Sequence, residues 1–167
     1  MGITSASAVA STSGAWSRKG PTVRHTLCAL PADATAARCA RDVVGARCRE
    51  WQLDADSIET AQLLVSELVG NAVRHAGRAR ELTIDLTPSG LRLGVTDAQD
   101  DCALLPAKQS LQSENGRGLW LIDLLAWAWG CEPDGRGGKS VWCQLHTSAA
   151  SVEAFTAAGA SASASAA

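Results

Sequence analysis

The sequence predicts an α+β domain built as a two-layer sandwich, and three observations predict it. Two segments with helical spacing of apolar residues occupy the first half of the chain. Two runs that alternate apolar and polar residues follow, joined by Pro88-Ser89-Gly90. A third helical segment and a closing strand complete the pattern. Helices and antiparallel strands in that order favour a sheet with its helices segregated to one face.

Each element has a local cause. Val23 to Ala29 reads as a short strand closed by Pro31. Asp33 is placed to cap a helix over about 34–50, ending near Trp51. Asp54 or Asp56 caps a second helix over about 57–76, and Gly77 stops it. Leu82, Ile84 and Leu86 alternate with polar residues, as do Leu91, Leu93 and Val95, so 81–87 and 90–97 form an antiparallel pair. Residues 98–115 carry no period and read as a long loop. Gly116 to Trp129 reads as the third helix, 130–134 as a short strand, 135–138 as a turn and 139–147 as the last strand.

Composition bounds the domain and excludes several functions. The chain has 167 residues and a formal charge of −2, so it carries no polybasic surface for nucleic acid or anionic lipid. No segment approaches the ~20 apolar residues of a membrane span. Residues 1–20 and 149–167 are mostly Ala, Ser, Thr and Gly and are expected to be disordered tails. One folded domain, 21–148, is left between them. Residues 1–20 lack the basic start and apolar run of a signal peptide. The six cysteines, with no C-x-x-C pair, are accordingly read as reduced cytosolic thiols that fill the core. Trp120, Trp127, Trp129 and Trp142 are read as core-filling, and His25 as structural or exposed rather than as a phosphate acceptor.

Three features suggest a ligand site. Ala61, Leu64, Val65, Leu68 and Ala72 form the apolar face of the second helix. Glu67, Asn71 and His75 make a separate polar line at its edge, flanked by Arg74. Taken alone, that line is either a solvated stripe or a row that faces a ligand. Asp97 shares the parity of Leu91, Leu93 and Val95, so it points to the buried face and needs donors there. Those donors are backbone N–H groups or the exocyclic amine of a ligand. Gly116-Arg117-Gly118-Leu119 stands at a loop-to-helix junction, where backbone N–H groups suit a phosphate.

In this order and spacing the features resemble a known superfamily. Glu67-Leu68-Val69-Gly70-Asn71-Ala72-Val73-Arg74-His75-Ala76 resembles the N box of the histidine kinase-like ATPases, which include DNA gyrase. Val95-Thr96-Asp97 resembles the start of its first glycine box, Gly116 to Leu119 its second, and Gly138-Lys139-Ser140-Val141-Trp142 its terminal strand motif. Within that superfamily the pattern is most similar to the compact anti-sigma factors with serine/threonine kinase activity, the SpoIIAB and RsbW type. The resemblance implies a Bergerat fold: a mixed, mostly antiparallel sheet covered on one face by three helices, with ATP and Mg²⁺ between sheet and helices.

The resemblance also implies roles. Asn71 would ligand Mg²⁺, and Asp97 would accept the adenine amino group. Gly116 and Gly118 would cradle phosphates. Apart from the resemblance, Arg74 or Arg117 is placed either to neutralise phosphate charge or simply to stand exposed. His75 and Leu119 lie in the same matched boxes and count as nucleotide-binding positions. Glu67 would act as general base toward the hydroxyl of a protein serine or threonine, or would position a water. The implied protein is cytoplasmic. It binds a sigma factor or similar regulator and phosphorylates an anti-anti-sigma-like antagonist; homodimerisation is left open. The alternative is a nucleotide-sensing interaction module without kinase activity. Two departures from the pattern favour that alternative: Asp97 is followed by Ala98-Gln99-Asp100-Asp101 with no glycine two positions on, and Lys139 stands where a small hydroxyl residue is usual, which offsets Ser140 to the other face.

Overall fold

A computed structural model describes residues 24–99, 101–102 and 117–147, with the side chain of Arg117 left out. Both expected tails, Gly116 and most of the 98–115 loop lie outside the described residues. The elements follow in the order β1 (Arg24–Ala29), α1 (Ala36–Glu50), α2 (Ala55–Ala76), β2 (Ala79–Thr87), β3 (Gly90–Asp97), α3 (Arg117–Leu125), β4 (Ala128–Pro133) and β5 (Lys139–Leu145).

The helix ends show their causes. Asp54 is the N-cap of α2, and its carboxylate accepts from the Ser57 backbone N–H and hydroxyl, both at 2.8 Å. Losing such a cap costs about 0.5–2 kcal/mol. Gly77 closes the helix in the left-handed region, at φ 76°, where glycine has no Cβ to clash. Asp33 does not cap α1 directly. Thr35 is the N-cap residue, and Asp33 instead accepts from the Thr35 N–H and hydroxyl in a turn before the helix.

The five strands form one sheet in the order β1-β2-β3-β5-β4. Every pairing is antiparallel, so the sheet is not mixed as expected. After β3 the chain crosses through α3 to the far edge. It runs down β4 and then turns tightly back, which inserts β5 antiparallel between β4 and β3.

The third helix is shorter than its sequence suggests. It ends at Leu125 rather than Trp129, and the Trp127 N–H already donates to the Gln144 carbonyl at 3.0 Å. Trp129 and Cys131 then pair with Cys143 and Val141. A short apolar run is locally ambiguous between helix and strand, and the free edge of β5 decides it.

The helices lie on one face of the sheet. α2 is the middle helix, touching α1 and α3 and resting on β3 and β5. Its apolar face, Ala61, Leu64, Val65, Leu68 and Ala72, is buried as expected and meets Leu82, Ile84, Leu93, Val95 and Ile122 in one core. Truncating Leu64 or Leu68 to alanine would cost about 2–5 kcal/mol.

Two expectations about side chains need correction. Cys102 and Cys131 form a disulfide; Cys28, Cys39, Cys48 and Cys143 are free thiols. The pairing joins residues 29 apart in sequence, a relation that spacing alone does not reveal. Trp120 and Trp127 do not fill the core: both are exposed, and Trp127 stacks on His146 with ring centroids 5.4 Å apart. Trp129 packs half-buried against the core, while Trp142 lies on the opposite sheet face under the Arg92 guanidinium. Burial there pushes the Arg92 pKa down, opposed by the nearby Glu132 and Asp85 carboxylates. His25 has a structural partner on that face, with Nδ1 2.6 Å from Asp85 Oδ1.

Candidate functional site

The site forms where α2, the start of α3 and the facing ends of β3 and β5 meet. Helical spacing puts Glu67, Asn71 and His75 on successive turns of α2. Asn71 is the innermost of them. It is 1% exposed, and neither its amide nitrogen nor its amide oxygen has a hydrogen-bond partner. Burying an unsatisfied donor or acceptor costs about 1–3 kcal/mol, so a buried amide with both ends orphaned needs an explanation. Contact with a ligand would supply one.

Glu67 is half-buried one turn before Asn71 and faces the first turn of α3. A Cβ added to Gly118 would collide with the Glu67 carboxylate and stand 3.2 Å from Arg74 Nη2. Glu67, Arg74 and Gly118 are therefore brought together. The glycine is what lets the α3 backbone approach that carboxylate. His75 is half-buried in the last turn of α2. Leu119 turns into the hydrophobic core, at 2% exposed.

Asp97 closes β3 on the helix-covered face, completely buried, as its parity requires. Its Oδ1 accepts from the Gln99 backbone N–H at 2.9 Å. The same oxygen lies 3.2 Å from Lys139 Nζ, and both side chains are almost wholly buried. Oδ2 is buried with no partner. Lys139 also reaches Gln99 Oε1 at 3.4 Å.

The turn before β5 explains how Lys139 gets there. Asp134 Oδ1 accepts from the Arg136 and Gly138 N–H groups at 2.7 and 2.8 Å, with Gly135 and Gly137 at positive φ. A Cβ on Gly138 would strike the Asp97 carbonyl oxygen, so glycine there permits the close approach that sets Asp97 opposite Lys139. Ser140 is on the other sheet face, as its offset predicts, across from Thr96. The ion pair with Lys139 and the contribution of Gln99 were not foreseen. The only signal was that Lys139 occupies a position where a hydroxyl residue is usual.

Cys102 lies five positions after Asp97, and its disulfide fastens that segment to β4. Among the described residues no group of three or more His, Cys, Asp or Glu is arranged to hold a metal ion.

The model for the histidine kinase-like ATPase domain matches residues 30–145. The chain belongs to this family. Family membership implies ATP binding, usually with Mg²⁺. An uncharacterized protein of Streptomyces coelicolor is 39% identical over 84 residues, which cover 48% of this chain and 79% of that protein. The crystal structure of the RsbU and RsbW domains of Rv1364c from Mycobacterium tuberculosis has the same fold, with a TM-score of 0.56 and 21% identity. That match covers 74% of this chain and 32% of the other, so this ATPase domain spans about a third of its solved structural relative.

The residues fit a nucleotide with its metal. The orphaned Asn71 amide offers the hard oxygen that Mg²⁺ prefers. The orphaned Asp97 oxygen offers an acceptor to a base amine. The α3 N-terminus, opening beside Gly118, offers backbone donors to phosphate. Among the described residues no helix is long and apolar enough to cross a membrane.

Proposed function

We propose that this ATPase domain is an anti-sigma-type regulator that binds ATP with Mg²⁺ and phosphorylates a serine or threonine on a protein antagonist. It would also hold a sigma factor or similar regulator and release it when that antagonist competes. The reading rests above all on Asn71, buried on α2 with both ends of its amide unsatisfied, one turn from Glu67.

Bound ATP–Mg²⁺ would supply the transferable phosphoryl group and a cation to neutralise developing charge. Asn71 would hold the metal, and Asp97 Oδ2 would accept from the base. Backbone donors around Gly116 and Gly118 would hold phosphate oxygens, with the guanidinium groups of Arg74 and Arg117 adding charge. Glu67 would take the proton from the acceptor hydroxyl. Its closeness to the Gly118 backbone supports that role.

Labelled ATP–Mg²⁺ incubated with the protein and with partners recovered on the immobilised chain tests this reading. Label should pass to a serine or threonine of one partner, and Glu67→Ala should remove the transfer. Equal transfer by the variant would overturn the base role.

One observation favours the alternative reading. The Asp97–Lys139 ion pair departs from the usual pattern at the base site, as a nucleotide sensor without catalysis would tolerate. That reading predicts partner binding that changes with ATP but no label transfer to any recovered partner.

A further inference from the structure

The disulfide stands beside the proposed nucleotide site. Cys131 lies in β4, an outer strand of the sheet, and register pairs it with Val141, two residues after Lys139. Trp129 and Cys131 share a parity and both pack against the core, so Cys131 is on the helix-covered face. Asp97 and Lys139 meet on that same face. The other half of the bond, Cys102, follows Asp97 by five positions and Gln99 by three.

Gln99 links the bond to the site. Its backbone N–H donates to Asp97 Oδ1 at 2.9 Å, and its Oε1 is 3.4 Å from Lys139 Nζ. Cys102 holds the chain to β4 just beyond, with 5.7 Å between the two bonded Cα atoms. While the bond is intact, Gln99 is ordered in advance of any ligand. Breaking it removes that covalent hold, and part of the entropy of ordering Gln99 is then lost on ligand binding instead.

The bond is also open to exchange. Both of its cysteines are half-buried, and β4 is at a sheet edge. Cys48 and Cys143, by contrast, are buried, and burial pushes both thiols up to about 12, which keeps them protonated and unreactive near neutral pH. Cys102 takes no part in the apolar core, so the fold does not need the bond in order to close.

We propose that Cys102–Cys131 is a reversible redox site that sets nucleotide affinity through Gln99, the disulfide form binding ATP–Mg²⁺ more tightly than the dithiol form. The inference rests on the proposed nucleotide site and adds a control to it. The co-reactant is a dithiol. Its first thiolate attacks one sulfur, the S–S bond breaks, and the departing cysteine takes up a proton. Its second thiol resolves the mixed disulfide and releases the other cysteine as a thiol. The dithiol is oxidised to a disulfide, and the protein pair gains two electrons and two protons.

The full chain, oxidised with glutathione disulfide or reduced with dithiothreitol, tests it. Peptide mapping should join Cys102 to Cys131 in the oxidised form alone. Calorimetric titration with ATP–Mg²⁺ should give about 5–30-fold weaker binding to the reduced form, the cost of ordering roughly one residue. Cys102→Ser and Cys131→Ser should each bind like reduced wild type and ignore dithiothreitol. By linkage, saturating ATP should protect the bond in a dithiothreitol redox buffer by the same factor. Amide exchange at Gln99 should quicken on reduction even without nucleotide. Equal ATP affinity in both forms overturns the inference and leaves the nucleotide site standing. Unchanged exchange at Gln99 overturns the route through that residue. A missing Cys102–Cys131 cross-link, or a chain that unfolds on reduction, overturns the switch. ATP binding in neither form overturns the nucleotide reading and this inference together.

Discussion

The backbone of Gly118 packs against the carboxylate of Glu67 so closely that position 118 has no room for a side chain. The contact joins α2 to α3 at positions 51 apart in the chain.

Gly118→Ala should displace the Glu67 side chain rather than unfold the protein, because the clash falls on the free end of a flexible side chain. Unfolding in urea should change by no more than about 1–3 kcal/mol, the usual range for overpacking. Phosphotransfer should fall to the level of Glu67→Ala. Wild-type transfer by the alanine variant would show that this contact does not position the carboxylate.

Asn71→Leu should separate binding from stability with opposite signs. The apolar side chain, branched at the same carbon, removes a buried amide whose two ends are orphaned. Stability without nucleotide should rise by about 1–3 kcal/mol. The nucleotide response should vanish, whereas wild type at ATP 100 times its Kd should gain about 2.7 kcal/mol. Thermal melts with and without ATP–Mg²⁺ measure both effects, and a retained ATP shift in the variant would refute the metal-ligand role.

Reducing the Cys102–Cys131 bond releases a loop closed across 29 residues. Loop-closure entropy sets the expected loss at about 3–4 kcal/mol. Cys131→Ser should match the reduced wild type in denaturant midpoint. Identical midpoints for oxidised and reduced protein would mean that the bond does not constrain the chain.

Two buried thiols predict alkaline weakening. Burial pushes Cys48 and Cys143 up to about 12, from an ordinary value of 9.0. Between those values the unfolded chain releases protons that the folded chain retains. Stability from these thiols is therefore complete below pH 9.0 and is lost as pH rises toward about 12. Each contributes a slope of about 1.4 kcal/mol per pH unit. Urea unfolding from pH 8 to 11 reads the slope. Cys143→Ala should make it shallower, and an unchanged slope would exclude that thiol as its source.

What the sequence determined by itself was local or periodic. Helical spacing placed the buried face of α2 and the line Glu67, Asn71, His75. Strand parity buried Asp97 and put Ser140 on the opposite face from Lys139. Asp54 and Gly77 marked the ends of a helix through their own backbone chemistry. Such features depend on residues a few positions apart, so they survive in the order of the chain.

Only the tertiary structure decided the rest. It made the sheet antiparallel throughout, ended α3 at Leu125 so that Trp129 could join β5, and paired Cys102 with Cys131. It also set Lys139 against Asp97 and Gly118 against Glu67. Each of these relations joins segments far apart in the chain. Sheet register and helix packing choose the partners, and neither is encoded by the spacing within one segment.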